Sequence, residues 1–452
     1  MGGQRQHPDG VAAYPASAAQ LQAFERAGER LGDFSAPMLL RKDSDDRLFV
    51  AAFDGSGNSL HRDPPDKQTN VAWLYRQVER RIGDDARVYG ASQLGAGYVE
   101  GVGTQGGLGG AVDLITGRSY EARLEEMYLQ FVQHAKNWLD ANPHADIRLA
   151  SVGFSRGAEQ AAGFTRLVET RGIQNPEGAD VVRGADGLID RIVFNAPPLR
   201  EPGGVVQVVG LFDPVGTGTP RQHDRRPAAS VVSGYQLTAE DERRNPFAGT
   251  RIADAGITFD GRFLNELLPG SHSDMGGGYG RNGLSIRAGN LMANYLNALS
   301  DEPFLDLRPV PADPAMNVIH RSEQHFALYR TTQFDRNGVR SHVEELAPAA
   351  LCRLDCRDAE PRDEAMAASL EWRPVPVAPA PDAPALAVSG AVDRMLEAAR
   401  RNDAPAIDLA ARDFLDGPAG RAWLEAGEQR LRAIEAARVE QERPPVALEL
   451  ER

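Results

Sequence analysis

The chain has 452 residues, with 50 Lys and Arg against 64 Asp and Glu, a net charge of −14. That balance argues against a nucleic-acid partner and against standing attachment to anionic lipid. With 42% hydrophobic and 25% charged residues, the composition is that of a globular protein with room for one large domain and an extra module.

Residues 1–45 are polar, with one helical pattern from Ala18 to Leu31, and read as an N-terminal arm. The opening Met1 to Pro8 lacks the apolar core of a secretory signal, and no stretch reaches the ~18 apolar residues of a membrane span. Synthesis in the cytoplasm without a signal peptide is therefore expected. The run Leu48-Phe49-Val50-Ala51-Ala52-Phe53 reads as a buried strand, ended by the turn Asp54-Gly55-Ser56-Gly57-Asn58. Thr69 to Ile82 carries a helical face of Val71, Leu74, Tyr75 and Val78. Residues 87–117 are Gly-rich and read as one long loop, of a length that marks functional or mobile loops. Tyr120 to Leu139 is an amphipathic helix. The strand Ile147–Val152 leads through Gly153-Phe154-Ser155-Arg156-Gly157 into an Ala-rich helix. Apolar runs follow at Ile189 to Phe194, Val205 to Phe212 and Phe263 to Leu268, and then a helix at Ser285 to Leu299.

Strands alternating with helices predict an α/β fold with a largely parallel sheet, spanning residues 46–345. Residues 346–387 read as a linker, Pro/Ala-rich from Arg373 onward. Residues 388–452 read as a helical module with helices at Ala391–Arg401, Pro405–Phe414 and Arg421–Gln441. Cys352 and Cys356 are too few for a disulfide scaffold, and reduced thiols are expected for a cytosolic product.

In such sheets ligands gather at the carboxyl ends of strands. Four segments deliver Asp54, Ser155, Asp213 and His272 to that edge. The G-x-S-x-G turn places a serine hydroxyl at a strand-to-helix apex, with glycines two residues either side removing side chains that would clash. A serine needs a base and the base needs a carboxylate. His7, His61, His134, His144 and His223 fall in loops, turns, the arm or an amphipathic helix. His272 follows an apolar run directly and lies among glycines; Asp213 follows Phe212 at another strand end. The order Ser155, Asp213, His272 is that of α/β-hydrolases. Asp274 with His320 is an alternative acid and base in the same chain order. The amide of Arg156 and one from Gly55 or Ser56 are the expected oxyanion donors. The Arg156 guanidinium holds either an acidic substrate group or a carboxylate of the protein. The glycines of 101–110 match neither a dinucleotide fingerprint nor a P-loop. His272 and Asp274 lack a second metal-ligating pair. No cofactor and no metal are expected.

These motifs together resemble the catalytic domain of the type VI secretion phospholipase effectors, the first class of antibacterial lipase effectors. Phe53-Asp54-Gly55-Ser56-Gly57-Asn58 with Thr69-Asn70-Val71 is similar to the family's FDGTGN and TNV. Gly101-Val102-Gly103-Thr104 resembles its GVGT loop, and Gly153-Phe154-Ser155-Arg156-Gly157-Ala158 its GFSRGA elbow. Gly210 to Gly216 is similar to GLWDTVG, with Phe212 for Trp and Pro214 for Thr. Pro269 to Tyr279 resembles PGVHSDVGGGY. The resemblance covers residues 50–280. It implies an α/β-hydrolase fold, a Ser155–Asp213–His272 triad and cleavage of glycerophospholipid acyl esters in a rival cell after export by a specialised secretion system. It further implies a secretion-machine adaptor or spike and an immunity protein as partners. Two readings stand beside it: a general carboxylesterase or thioesterase, and a non-catalytic binding protein on a hydrolase fold.

Overall fold

The apolar runs pair into one seven-stranded sheet with helices on both faces. The computed structural model describes residues 7–104, 113, 117, 119–325, 339–352, 356–381, 395 and 404–416. We number the sheet strands β1 (Asp46–Phe53), β2 (Leu94–Val99), β3 (Asp146–Phe154), β4 (Gln207–Phe212), β5 (Val231–Ala239), β6 (Gly256–Ile257) and β7 (Phe263–Leu268). Their order is β6-β7-β5-β4-β3-β1-β2, and all neighbours are parallel except the β6–β7 edge. The expected α/β architecture is thus present.

Five long helices cover the sheet: α1 (Ala18–Asp33), α2 (Asn70–Tyr89), α3 (Tyr120–Ala141), α4 (Arg156–Arg171) and α5 (Gly283–Asn297). Side chains of a strand alternate between faces, so β1 feeds two cores. Leu48, Val50 and Ala52 meet Phe24, Leu31, Val71, Leu74 and Met292 from α1, α2 and α5. Phe49, Ala51 and Phe53 meet Met127, Phe131 and Phe164 from α3 and α4. Burial on both faces explains why the central strands read as unbroken apolar runs. Each fully buried Phe or Leu there contributes about 1.5–3 kcal/mol.

Two strands depart from the sequence reading. β2 lies inside the stretch expected as a loop. Its Gly95 and Gly97 are not loop formers: a Cβ at either would run into Trp138 or Met127, so they let α3 lie close on the strand. β5 carries Ser233, Gln236 and Thr238 among its apolar residues, yet all nine of its positions are buried. Their polar atoms are satisfied by Tyr295, the Thr250 carbonyl and Asn265. The run Ile189–Val193 is a strand, but it pairs antiparallel with Asp180–Arg183 in a separate ribbon. The polar Asp190 and Arg191 within it have no place in a two-sided core.

Residues 1–45 are more than an arm. Ser17 caps α1 in a capping box with Gln20, and α1 buries Phe24, Ala27 and Leu31. The strand Ser35–Pro37 pairs with Trp372–Pro374, from the segment expected as linker. Val375 is buried and donates its amide to the Phe34 carbonyl. The chain divides into two units at Ala380/Pro381, so residues 346–380 belong to the first, not to a linker. The β-pairing and the buried Val375 override the extended habit of the Pro/Ala composition. In the second unit, Ala404–Asp416 is helical, in accord with the helix expected at Pro405–Phe414. Apart from Met395, the other two expected helices lie outside the described residues, as do Gly106, Gly107, Gly109 and Gly110 of the glycine-rich stretch. Cys352 and Cys356 are joined in a disulfide rather than reduced, their Cα atoms 5.6 Å apart within bridging range. No helix among the described residues is long and apolar enough to cross a membrane.

Candidate active site

Ser155 lies between β3 and α4 at φ 61° and ψ −127°, a region that a non-glycine residue occupies only when its surroundings force it. The forcing contacts are identifiable. The Ser155 amide donates to the Phe212 carbonyl at 3.0 Å, its carbonyl accepts from Val215 at 3.3 Å and from Ala158 at 3.0 Å. A Cβ on Gly157 would collide with the Phe53 and Asp54 carbonyls, and one on Gly153 would collide with the backbone of Gly157. The two glycines therefore allow the elbow to nest against the end of β1. Ser155 is almost wholly buried, at 4% exposure.

Asp213 follows the neighbouring β4 and also has positive φ, at 38°. The residue before a proline is ordinarily extended, so Pro214 makes this conformation more demanding. The Asp213 amide bonds to the Leu237 carbonyl at 2.7 Å. Its carboxylate is completely buried and fully engaged. Oδ1 accepts from the Ala239 amide (2.9 Å) and Arg340 Nη1 (2.6 Å). Oδ2 accepts from His272 Nδ1 (2.5 Å) and Arg340 Nη2 (3.1 Å). Burial pushes the carboxyl pKa up, but the Arg340 charge and the His272 bond outweigh it and hold it well below the carboxylate range.

His272 begins a single-turn helix, His272–Gly276, directly after β7. Its ring lies between Phe154 (centroids 4.5 Å apart) and Phe247 (5.1 Å). Burial pushes its pKa below the usual 6.5 against the pull of Asp213. The imidazole is thus neutral at pH 7, with Nδ1–H donated to Asp213. Among the described residues nothing hydrogen-bonds its Nε2, and no hydrogen bond joins it to Ser155. Beside it, Glu242 accepts the His272 amide at 3.2 Å and is paired with Arg244. Burial raises the Glu242 pKa, yet the Arg244 charge brings it down to about 2.

The alternative pair also meets, but in a closed arrangement. His320 Nδ1 bonds Asp274 Oδ1 at 2.6 Å, while its Nε2 faces Asp9 Oδ2 at 3.1 Å. Asp274 meanwhile caps the His272 helix through the Ser271 amide and hydroxyl. Both ring nitrogens of His320 are spoken for, and Tyr279 stacks on its face at 3.9 Å. This pair ties the N-terminal residues to the histidine loop.

At the end of β1, Asp54 is buried and accepts from Tyr98 Oη (2.5 Å), Thr69 Oγ1 (2.7 Å) and the Gly55 amide (2.7 Å). Desolvation raises its pKa to about 6 despite these bonds. Thr69 in turn caps α2 by accepting from the Ala72 amide. Of the two turn donors expected for an oxyanion, the Gly55 amide is taken by Asp54. Ser56 sits beside the elbow, its Oγ accepting from Arg156 Nε at 2.6 Å. That bond lets the Arg156 side chain brace the turn. Arg156 is the first residue of α4, so its amide lies in the helix's first turn, where backbone donors point outward.

Arg340, Glu242, Arg244 and Tyr98 were not identified from sequence. Arg340 sits in the polar stretch Val339-Arg340-Ser341-His342, which carries no periodicity or motif. Among the described residues no group of three or more His, Cys, Asp or Glu is placed to hold a metal ion.

Residues 47–187 match the model of the family described as the T6SS phospholipase effector Tle1-like catalytic domain. No curated protein matches the chain. Among solved structures, an uncharacterized protein from Pseudomonas aeruginosa shares 18% identity over 89% of this chain and 66% of its own, at TM-score 0.36. The Tle1 effector bound to the VgrG spike of the type 6 secretion system shares 18% over 54% of this chain and 52% of its own, at TM-score 0.29. Esterase 2 of Thermogutta terrifontis shares 14% over 57% of this chain and 87% of its own, at TM-score 0.27. The chain thus spans just under two thirds and about half of the first two relatives' lengths.

Proposed function

We propose that this chain is a serine-dependent phospholipase that cleaves acyl esters of membrane glycerophospholipids, exported as an antibacterial effector. The carrying observation is the strained Ser155 elbow beside a preassembled, neutral His272 bonded to an ionised Asp213. His272 Nε2 takes the Ser155 proton as Oγ attacks the ester carbonyl. Asp213 holds the tautomer and steadies the imidazolium. The Arg156 amide and a donor in the 55–56 turn, with Ser56 favoured because Gly55 is occupied, receive the oxyanion. The Ser155–His272 bond forms with substrate in place, since catalytic hydrogen bonds are often long in empty sites. The tetrahedral intermediate collapses to an acyl-enzyme as the His272 imidazolium gives its proton to the departing lysophospholipid oxygen, and water activated by the neutral His272 then releases the fatty acid.

The phospholipid substrate and the effector role rest on the family match at 47–187. A spike or adaptor of the secretion machine and an immunity protein are the partners proposed, the spike by analogy with the bound relative. The second unit is the proposed docking element for that machinery. Lipid mass spectrometry of bacterial phospholipid vesicles incubated with the protein tests the reading. Fatty acid and lysophospholipid are expected from the native chain and none from Ser155→Ala. Turnover of soluble short-chain esters without vesicle hydrolysis would make the protein a general esterase. Failure of a fluorophosphonate to label Ser155 would leave only a binding role.

A further inference from the structure

The triad reading accounts for three side chains of the site but not for the fourth, which touches Asp213 with two nitrogens. Arg340 is 3% exposed and reaches the carboxylate from a segment 127 residues downstream. Its remaining bonds fix it independently: Nη1 to the Ala239 carbonyl and Nη2 to the Phe247 carbonyl, both 2.7 Å. The segment is itself held in place, because His342–Val343 pairs parallel with Gly249–Thr250. The fork is therefore rigid and planar against both carboxylate oxygens.

We propose that Arg340 is a positioning residue for the catalytic dyad, which holds Asp213 in its hydrogen-bonding orientation and cancels its charge so that His272 rests neutral. The proposal builds on the triad reading. A charge count gives the reason. With Arg340 positive, Asp213 negative and His272 neutral, the buried group has no net charge. Proton uptake would make it +1. Without Arg340 the same group would carry −1, and proton uptake would neutralise it, whichever atom held the proton. Removing the guanidinium must therefore make the dyad more basic. Asp274, on the helical turn that His272 opens, is bonded to Ser271 and His320, and Asp241 accepts from the Gly270 amide. Glu242 and Arg244, from the loop after β5, form their own neutral pair. His342, on the Arg340 segment, has its pKa depressed by burial and by Arg340 and is neutral at pH 7. Arg340 also meets a mechanical need. Asp213 must keep a positive φ ahead of a proline, and a carboxylate held by two bonds from one fork cannot swing away from His272.

The test compares the native chain with Arg340→Gln and Arg340→Lys. Histidine-labelled NMR follows the titration of His272 without requiring turnover, and the pH profile of ester hydrolysis follows its acid limb. In Arg340→Gln the midpoint is expected to rise by about one pH unit, with kcat lowered about 10–100-fold, as for groups that orient ligating or catalytic side chains, and KM unchanged. Arg340→Lys keeps the charge and loses the fork. Its midpoint should stay near the native value while kcat falls about tenfold. In a folded Arg340→Gln, a midpoint that is unchanged or lowered overturns the proposal. If that variant does not fold, Arg340→Lys with full kcat overturns it. A native chain that hydrolyses no ester refutes the triad reading instead, and the NMR titration still decides whether Arg340 sets the basicity of the pair.

Discussion

Two buried histidine–carboxylate pairs share one stretch of chain at His272 and Asp274, and they differ in what faces the second ring nitrogen. In both, Nδ1 bonds an aspartate: His272 to Asp213 at 2.5 Å and His320 to Asp274 at 2.6 Å. The difference is on the far side of each ring. His320 Nε2 is answered by a second carboxylate, Asp9, itself held by Arg281. His272 Nε2 has no such partner among the described residues, and its pair stands beside the Ser155 elbow. A histidine–aspartate bond is therefore no mark of catalysis. What faces the second nitrogen decides whether the ring can move a proton or only tie chain segments together.

The largest expected effect breaks the comparison if it fails. Ser155→Ala and His272→Ala should each lower ester turnover by about 10⁴-fold or more with the fold retained. His320→Asn should leave turnover of the same order, and equal losses at both histidines would erase the distinction. The next effect is on stability. His320→Asn removes the shared partner of two buried carboxylates, and urea unfolding should show a loss of about 3–5 kcal/mol.

Asp54 is another buried carboxylate at this sheet edge, bonded to Tyr98, Thr69 and the Gly55 amide and to no histidine among the described residues. Its pKa of about 6 lies above the unfolded value of 3.8, so the folded state binds the extra proton. Stability should fall as pH rises from about 4 to 6, by about 3 kcal/mol from this group. Asp54→Asn should remove that slope in unfolding measured across the window; an unchanged slope would mean the site is more polar than its burial implies. The smallest effect concerns His272 itself. Its pKa is lowered from 6.5, so the active neutral ring persists below that pH, and the acid limb of kcat/KM should lie under pH 6.5. A limb above 6.5 would show that Asp213 dominates burial, the opposite of the balance described.

Much of the fold was legible because both faces of the sheet are covered. The expected Leu48–Phe53, Ile147–Val152, Val205–Phe212 and Phe263–Leu268 lie on or overlap strands Asp46–Phe53, Asp146–Phe154, Gln207–Phe212 and Phe263–Leu268. β2 escaped because Gly95 and Gly97, which a helix needs for close approach, look like loop residues in one dimension. β5 escaped because its buried Ser233, Gln236 and Thr238 find hydrogen-bond partners that only the folded chain supplies. Ser155, Asp213 and His272 were readable as candidates because each follows an apolar run. Asp274 and His320 keep the same chain order after Ser155, and that order did not separate the two pairs.

By itself the sequence determined four strands of the sheet, β1, β3, β4 and β7, the elbow at Ser155 and the short list of acids and bases at the strand ends. These depend on neighbours along the chain: apolar runs, and glycines beside a strained turn. Only the tertiary structure decided which histidine keeps a nitrogen open, that Gly55 is already bonded, and that Arg340 clamps Asp213 from 127 residues away. Those outcomes are set by long-range packing, because burial and partner charge fix the protonation and orientation of each group, and neither has any trace in local residue order.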